Sequence, residues 1–181
     1  MIRFLIPLVE PEVLVVDGDN DMKTSLQVTE LVLTEVFYEL HKYGVVLERM
    51  LLKPNMILPG AKSGVIATPK EIAAETIKVL KRCVPSAVPG IFFLSGGQTE
   101  DEAAENLNEI NVQLAGKQPW YSVIFYCLHS FRYLSFSYGR ALQESALKAW
   151  QGKKENVSKA QEAFLKRAEN CSKATLGKLK S

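Results

Sequence analysis

The 181-residue chain has the length and composition of one globular domain. Hydrophobic residues make up 47% and charged residues 23%, which excludes an intrinsically disordered chain. Its 22 Lys and Arg against 20 Asp and Glu leave a net charge of +2, which excludes a strongly basic nucleic-acid binder and an acidic tail protein.

Cysteine and histidine usage indicates neither a disulfide framework nor a zinc site. Cys83, Cys127 and Cys171 are widely spaced and form no pair motif, and His41 and His129 are the two histidines. No apolar run approaches the roughly 18–20 residues that a membrane span needs. The apolar stretch at the N-terminus is too short for a signal peptide. We therefore expect a cytoplasmic protein that binds neither nucleic acid nor membrane.

Short apolar runs alternate along the chain with amphipathic helical patterns. The runs predict strands at 4–9, 45–53, 90–94 and 134–137. The helical patterns predict helices at 21–42, 68–82, 99–110 and 140–150, and a last one from 156 or 157 to about 174. In the first helix, we expect the apolar stripe to consist of Leu26, Leu31, Leu33, Val36, Phe37 and Leu40.

This element order predicts an α/β fold. Thr68-Pro69-Lys70-Glu71 and Thr99-Glu100-Asp101-Glu102 are capping boxes that each open a helix. The strands read as continuous apolar runs, which is typical of a parallel sheet covered on both faces. An open doubly wound sheet and a (β/α)8 barrel both fit this pattern. The aromatic-rich, nearly uncharged stretch 121–133 interrupts the alternation of strands and helices and could extend the fourth strand.

Polar residues follow the carboxyl end of every predicted strand. In parallel α/β folds, ligands bind at these ends. We therefore expect one rim to carry the side chains or backbones of Glu10, Glu12, Lys53, Ser95, Gly96, Gly139 and Arg140.

Lys53 is the candidate nucleophile. It follows two leucines and precedes a proline, and an apolar surrounding disfavours the charged form of its amine. A neutral amine attacks a carbonyl carbon and forms a Schiff base. Glu10 and Glu12 lie two residues apart and could move protons. On local context alone, a snorkelling lysine and a solvated carboxylate pair are the simpler interpretations.

Two glycine-containing turns are candidate phosphate sites. Ser95 and Gly96 precede a capped helix, where backbone N–H groups and the helix N-terminus favour an anion. Gly139 and Arg140 repeat the arrangement one strand later, and the guanidinium can bind phosphate through two donors. An ordinary turn and a surface ion pair are the structural alternatives.

Four motifs in this chain resemble class I fructose-bisphosphate aldolases, and their residues are most similar to those of plant-type members. They are Val-Glu-Pro-Glu at 9–12, Leu-Leu-Lys-Pro-Asn-Met at 51–56, Phe-Leu-Ser-Gly-Gly-Gln at 93–98 and Phe-Ser-Tyr-Gly-Arg-Ala-Leu-Gln at 136–143. The resemblance implies a partial (β/α)8 barrel that contains about the last four strands with their helices. Residues 1–181 would form one partial barrel domain, and 121–133 would be an insertion before the last strand.

The resemblance also implies a reaction. Lys53 would be the Schiff-base nucleophile that attacks the ketone carbon of fructose 1,6-bisphosphate, Glu10 would transfer protons, and Glu12 would be the neighbouring carboxylate. Ser95, Gly96, Gly139 and Arg140 would bind substrate phosphate. The products would be dihydroxyacetone phosphate and glyceraldehyde 3-phosphate, and no metal or other cofactor would be needed. The implied partners are a phosphorylated sugar and, as in the family, further copies of the chain in a tetramer.

Two other functions stay open at this point. Because the resemblance covers four strands, we expect this chain alone to turn over little fructose 1,6-bisphosphate. A non-catalytic aldolase fragment that associates with itself or with intact aldolase subunits is the first alternative. A different phosphate-binding α/β enzyme that shares the same rim residues is the second.

Overall fold

Parallel strands and α-helices alternate in the residues that the computed structural model describes, which are 5–14, 18–114 and 134–180. The strands are β1 (Leu8–Val9), β2 (Leu51–Leu52), β3 (Phe92–Phe93) and β4 (Ser135–Phe136). The helices are α1 (Met22–Lys42), α2 (Pro69–Cys83), α3 (Glu100–Leu114), α4 (Arg140–Trp150) and α5 (Val157–Thr175). The predicted insertion at 121–133, with Cys127 and His129, lies outside the described residues.

The four strands lie side by side in chain order. β1 pairs with β2, placing Leu8 opposite Leu51, and β3 pairs with β4, placing Phe92 opposite Ser135. A parallel bridge between Leu52 and Ile91 joins the two pairs. The α/β class with a parallel sheet is therefore confirmed. The strand order never reverses within the described residues, so these strands do not form the doubly wound alternative.

Helices cover one face of the sheet. Leu52 and Phe93 are fully buried in the core, and Val9 and Phe136 pack against the same core. On the opposite face, Leu8 is 41% exposed and its sheet neighbours are only partly buried. Right-handed crossovers that always step in the same direction place every helix on the same side. The expectation that both faces are covered is therefore wrong for the described residues.

Two local predictions also need correction. The strands are shorter than the apolar runs, and the predicted strand 45–53 contains a 3-10 turn at Leu47–Arg49 before β2 begins. In α1, Leu31 is 71% exposed instead of belonging to the apolar stripe. At about 100° per residue, Leu31 points almost opposite to the buried Leu33 and Thr29.

Side-chain caps explain where three helices begin. Asp21 accepts the Thr24 N–H at 2.8 Å before α1. Thr68 and Glu71 form a reciprocal capping box at α2. Before α3, the Glu102 carboxylate accepts the Thr99 N–H at 2.8 Å. The two capping boxes identified in the sequence are thus confirmed by these bonds.

Thr68→Ala is expected to lower the free energy of unfolding by about 1 kcal/mol, because it leaves the Glu71 N–H without its side-chain acceptor. Hydrogen bonds from the Thr68 N–H and hydroxyl lower the pKa of Glu71 below its ordinary value of 4.5. The box therefore stabilises the fold above that pH, and its effect fades as the pH falls through the lowered pKa. Urea denaturation at pH 7 and pH 3 measures both effects. Thr34→Ala, a substitution in the interior of α1, is the control, and an equal loss in both variants would contradict the prediction.

A polar cluster fixes α4 and α5 against α3. The Glu100 carboxylate accepts the Ser145 N–H at 2.9 Å and lies 3.7 Å from the Arg167 Nε. Arg167 Nη1 also contacts the Asp101 carboxylate at 2.5 Å. This cluster joins the middle of α4 and α5 to the start of α3.

Candidate functional site

The carboxyl ends of the four strands lie at the same edge of the sheet, because all strands are parallel. Glu10 directly follows β1 and Lys53 directly follows β2. Ser95 comes two residues after β3, and Gly139 comes three residues after β4. The structure therefore places every candidate site residue beyond the same ends of the strands.

Lys53 and Glu10 form an ion pair across β2 and β1. The distance from Lys53 Nζ to Glu10 Oε1 is 2.9 Å, and the two side chains are 16% and 45% exposed. The strand register produces this contact, since the Lys53 N–H donates to the Val9 carbonyl at 2.7 Å. An amine and a carboxylate at this distance can exchange a proton directly.

Glu12 reaches across to the turn after β3. Its carboxylate lies so close to Gly96 that a Cβ at residue 96 would collide with Oε1. Glycine at residue 96 thus leaves the space that the Glu12 carboxylate occupies. Glu10 and Glu12, two residues apart, therefore contact the loops after two different strands.

Asn55 is a site residue that sequence reasoning missed. Its Oδ1 accepts the Val13 N–H at 3.1 Å, and its Nδ2 donates to the Met56 carbonyl at 3.1 Å. The side chain is buried, with the residue 8% exposed. Asn55 thus connects the segment that carries Glu10 to the loop that carries Lys53. The sequence alone shows only an asparagine two residues after the lysine, and its burial and its bond to Val13 become visible in the structure.

The turn after β3 is tight and partly buried. Ser95 is buried, its carbonyl accepts the Gln98 N–H at 3.0 Å, and Gly97 has a positive φ of 76°. The start of α3 is already capped by the Glu102 carboxylate. The expected contribution of this helix N-terminus to phosphate binding is therefore weakened, and the turn itself remains the candidate.

Gly139 and Arg140 lie at the start of α4 and are exposed. No side chain among the described residues caps this helix N-terminus, so its first N–H groups can bind an anion there. A hydrogen bond from Lys148, together with the nearby charges of Lys148 and Arg140, lowers the pKa of Glu144. No hydrogen bond or ion pair within 5–14, 18–114 and 134–180 joins Arg140 to Lys53 or Glu10.

The other reactive side chains of the described ranges lie away from this rim. His41 Nδ1 lies 2.7 Å from the Phe37 carbonyl at the end of α1. Cys83 and Cys171 are free, and burial raises the pKa of Cys171 to about 11. Where the structure is described, no group of three or more His, Cys, Asp or Glu could hold a metal ion, and no helix is long and apolar enough to cross a bilayer.

Comparisons with known proteins agree with the motifs at this rim. A family model for fructose-bisphosphate aldolase class-I matches residues 2–181. Fructose-bisphosphate aldolase 4, cytosolic, of Arabidopsis thaliana is 54% identical over 173 residues, which are 96% of this chain and 40% of that protein. The cytoplasmic isozyme of Spinacia oleracea is 52% identical over 174 residues, covering 96% of this chain and 44% of that protein.

A solved structure shares the fold. It is a ternary co-crystal structure of fructose-bisphosphate aldolase from Plasmodium falciparum in complex with TRAP and a small molecule inhibitor. The TM-score is 0.86 at 48% sequence identity, covering 98% of this chain and 47% of that one. The chain therefore spans less than half the length of each of these three relatives.

Proposed function

Because the chain belongs to the class I fructose-bisphosphate aldolase family, we propose that Lys53 forms a Schiff base with the ketone carbon of a phosphorylated ketose such as fructose 1,6-bisphosphate. The observation that carries the proposal is the Lys53–Glu10 pair, with 2.9 Å between amine and carboxylate at the carboxyl ends of two paired strands. A lysine nucleophile with an adjacent proton carrier is what imine formation requires.

The Lys53–Glu10 pair can carry out the proton transfers that imine formation requires. Glu10 first takes a proton from the Lys53 ammonium across the 2.9 Å between them. The neutral amine then attacks the ketone carbon, and the proton that the nitrogen loses goes to the ketone oxygen to give a carbinolamine. Glu10 then delivers a proton to the carbinolamine hydroxyl, which leaves as water and yields the iminium. A carboxylate of the site then takes the proton of the C4 hydroxyl, the C3–C4 bond breaks to release the aldehyde, and the iminium accepts the electrons of that bond and becomes an enamine. Glu12 supplies a second carboxylate on the same rim, next to Gly96.

The phosphate groups of the substrate would bind at the two turns farther along the rim. Ser95 and Gly96 would hold one phosphate through the turn after β3. Gly139 and Arg140 would hold phosphate through the uncapped N-terminus of α4 and the exposed guanidinium. The exposed Arg140 guanidinium and the N–H groups at the start of α4 support the second of these assignments.

The remaining parts of the proposal concern the whole protein. The four strands in chain order, with helices on one face, fit about the last four strands of a (β/α)8 barrel, and residues 1–181 would be one partial barrel domain with an insertion at 121–133. Its curated relatives carry cytosolic or cytoplasmic names, which supports a cytoplasmic location. We also propose that the chain assembles into a homo-oligomer such as the family tetramer and that its chemistry needs no cofactor.

Deuterium exchange tests the proposed chemistry. When the chain is incubated with dihydroxyacetone phosphate in D2O, the iminium makes a hydrogen on the adjacent hydroxymethyl carbon acidic, and deuterium replaces it. We expect NMR to detect incorporation above the protein-free rate. If none occurs while an intact cytosolic aldolase incorporates deuterium under the same conditions, the proposal fails.

A second function is favoured by the surface beside β1. Leu5, Ile6 and Leu8 are 92%, 49% and 41% exposed. Within the described residues, β1 pairs with β2 and no strand pairs with its other edge. An apolar, unpaired strand edge favours association with another chain. A non-catalytic fragment acting through such association would show no deuterium exchange but a mass above 20.2 kDa by light scattering.

A further inference from the structure

We propose that Asn55 is a positioning residue that holds the Glu10–Glu12 segment beside Lys53. This inference rests on the proposed function, because Glu10 matters only if Lys53 is the nucleophile. Among the described residues, no hydrogen bond joins Asn55 to the Lys53 amine or to the Glu10 carboxylate. It would act through the backbone at Val13.

The hydrogen bonds of Asn55 require an amide. The Val13 N–H needs an acceptor and the Met56 carbonyl needs a donor, so Oδ1 must face Val13 and Nδ2 must face Met56. Nδ2 also lies 3.4 Å from the hydroxyl of Thr29, a buried residue of α1. Asn55 therefore joins the segment after β1, the loop after β2 and the first helix.

The segment that carries the two glutamates is held at both of its ends. At one end, the Val9 carbonyl accepts the Lys53 N–H as the last bond of the β1–β2 ladder. At the other end, the Val13 N–H donates to Asn55 across 42 residues of sequence. Glu10 and Glu12 lie between these two anchors. Without the second anchor, the backbone between them gains freedom, and the carboxylate positions are no longer fixed.

Fixed positions matter because proton transfer depends steeply on distance. A displacement of about 1 Å at a catalytic group costs on the order of 100-fold in rate. Sites retain such precision when buried groups behind them lock the catalytic side chains. Asn55 is buried and fully bonded, as such a supporting group must be.

Asn55→Ala tests the inference, and Asn108→Ala is the matched control. Asn108 is also an amide that accepts one long-range backbone bond, from the Leu179 N–H at 2.9 Å, but it lies on α3 and contacts the C-terminal tail. Hydrogen exchange followed by NMR reports the protection of the Val13 amide. We expect Asn55→Ala to lower that protection at least about tenfold. Asn108→Ala should leave it unchanged.

Borohydride trapping of the Lys53 adduct with dihydroxyacetone phosphate gives the functional readout. We expect Asn55→Ala to lower the maximal trapping rate by about tenfold or more, with a half-saturating concentration changed less than about twofold. A purely structural role would lower both variants' rates in proportion to their loss of stability. Unchanged Val13 protection, or an equal effect of Asn55→Ala and Asn108→Ala, would overturn the inference. Absence of any adduct in the unaltered chain would instead refute the proposed function, while the exchange measurement would still test the role of Asn55.

Discussion

The Phe93→Ala variant is expected to lose about 3–5 kcal/mol of the free energy of unfolding. Phe93 is completely buried between the sheet and the helices, in β3, and the bridge that joins the two strand pairs lies just before this strand at Ile91. Truncation removes the apolar contacts of the ring and leaves a cavity that the neighbouring side chains only partly fill. Because small domains are stable by about 5–15 kcal/mol, this loss is a large fraction of the total free energy of unfolding.

Phe92→Ala is the matched control for this prediction. Phe92 is the preceding residue of the same strand, but its ring points to the opposite face of the sheet and is only partly buried. Chemical denaturation followed by circular dichroism should show a clearly smaller loss for Phe92→Ala. Equal losses in the two variants would contradict the assignment of the core to the helix-covered face.

Lys53→Met should reduce borohydride-trapped adduct formation more than about 1,000-fold, because methionine has no amine to attack the ketone carbon. The fold should survive, since the partner Glu10 is 45% exposed and can be solvated once the ion pair is lost. Adduct formation is measured by the mass gained after reduction. Circular dichroism of the variant checks that the helices remain.

Lys81→Met removes a lysine of the same type from an exposed position on α2. This control should form adduct at the same rate as the unaltered chain. If Lys53→Met still forms adduct at that rate, or if Lys81→Met loses it, the nucleophile is a different lysine.

The helices could be predicted closely from the sequence, whereas the strands could not. Thr68 and Asp21 cap the starts of helices through hydrogen bonds to residues three positions later. These bonds are local, so a helix start can be predicted from the sequence around it. Strand ends depend on where neighbouring strands stop pairing, which is not local. The apolar run at 45–53 accordingly holds a 3-10 turn and only two paired residues, Leu51–Leu52. Hydrophobicity alone predicts that Leu31 is buried, but its angular position around α1 leaves it exposed to solvent.

The part of the candidate site that lies at the ends of the strands could be predicted from the sequence. Glu10 and Lys53 follow neighbouring parallel strands, and their contact needs only the register that pairs Leu8 with Leu51. Asn55 was missed because an asparagine after a proline reads as an ordinary turn residue. Its partner Val13 is 42 residues away, so their bond appears only after the chain has folded.

The most direct test of the central claim is to locate the reduced adduct. The unaltered chain would be incubated with dihydroxyacetone phosphate, treated with borohydride, digested and mapped by mass spectrometry. We predict one modified residue, Lys53, because it alone among the proposed site residues carries an amine next to a carboxylate at the strand ends. Absence of an adduct, or labelling spread over several surface lysines, while an intact aldolase labels at one lysine in parallel, would contradict the claim that these four strands build a working nucleophile.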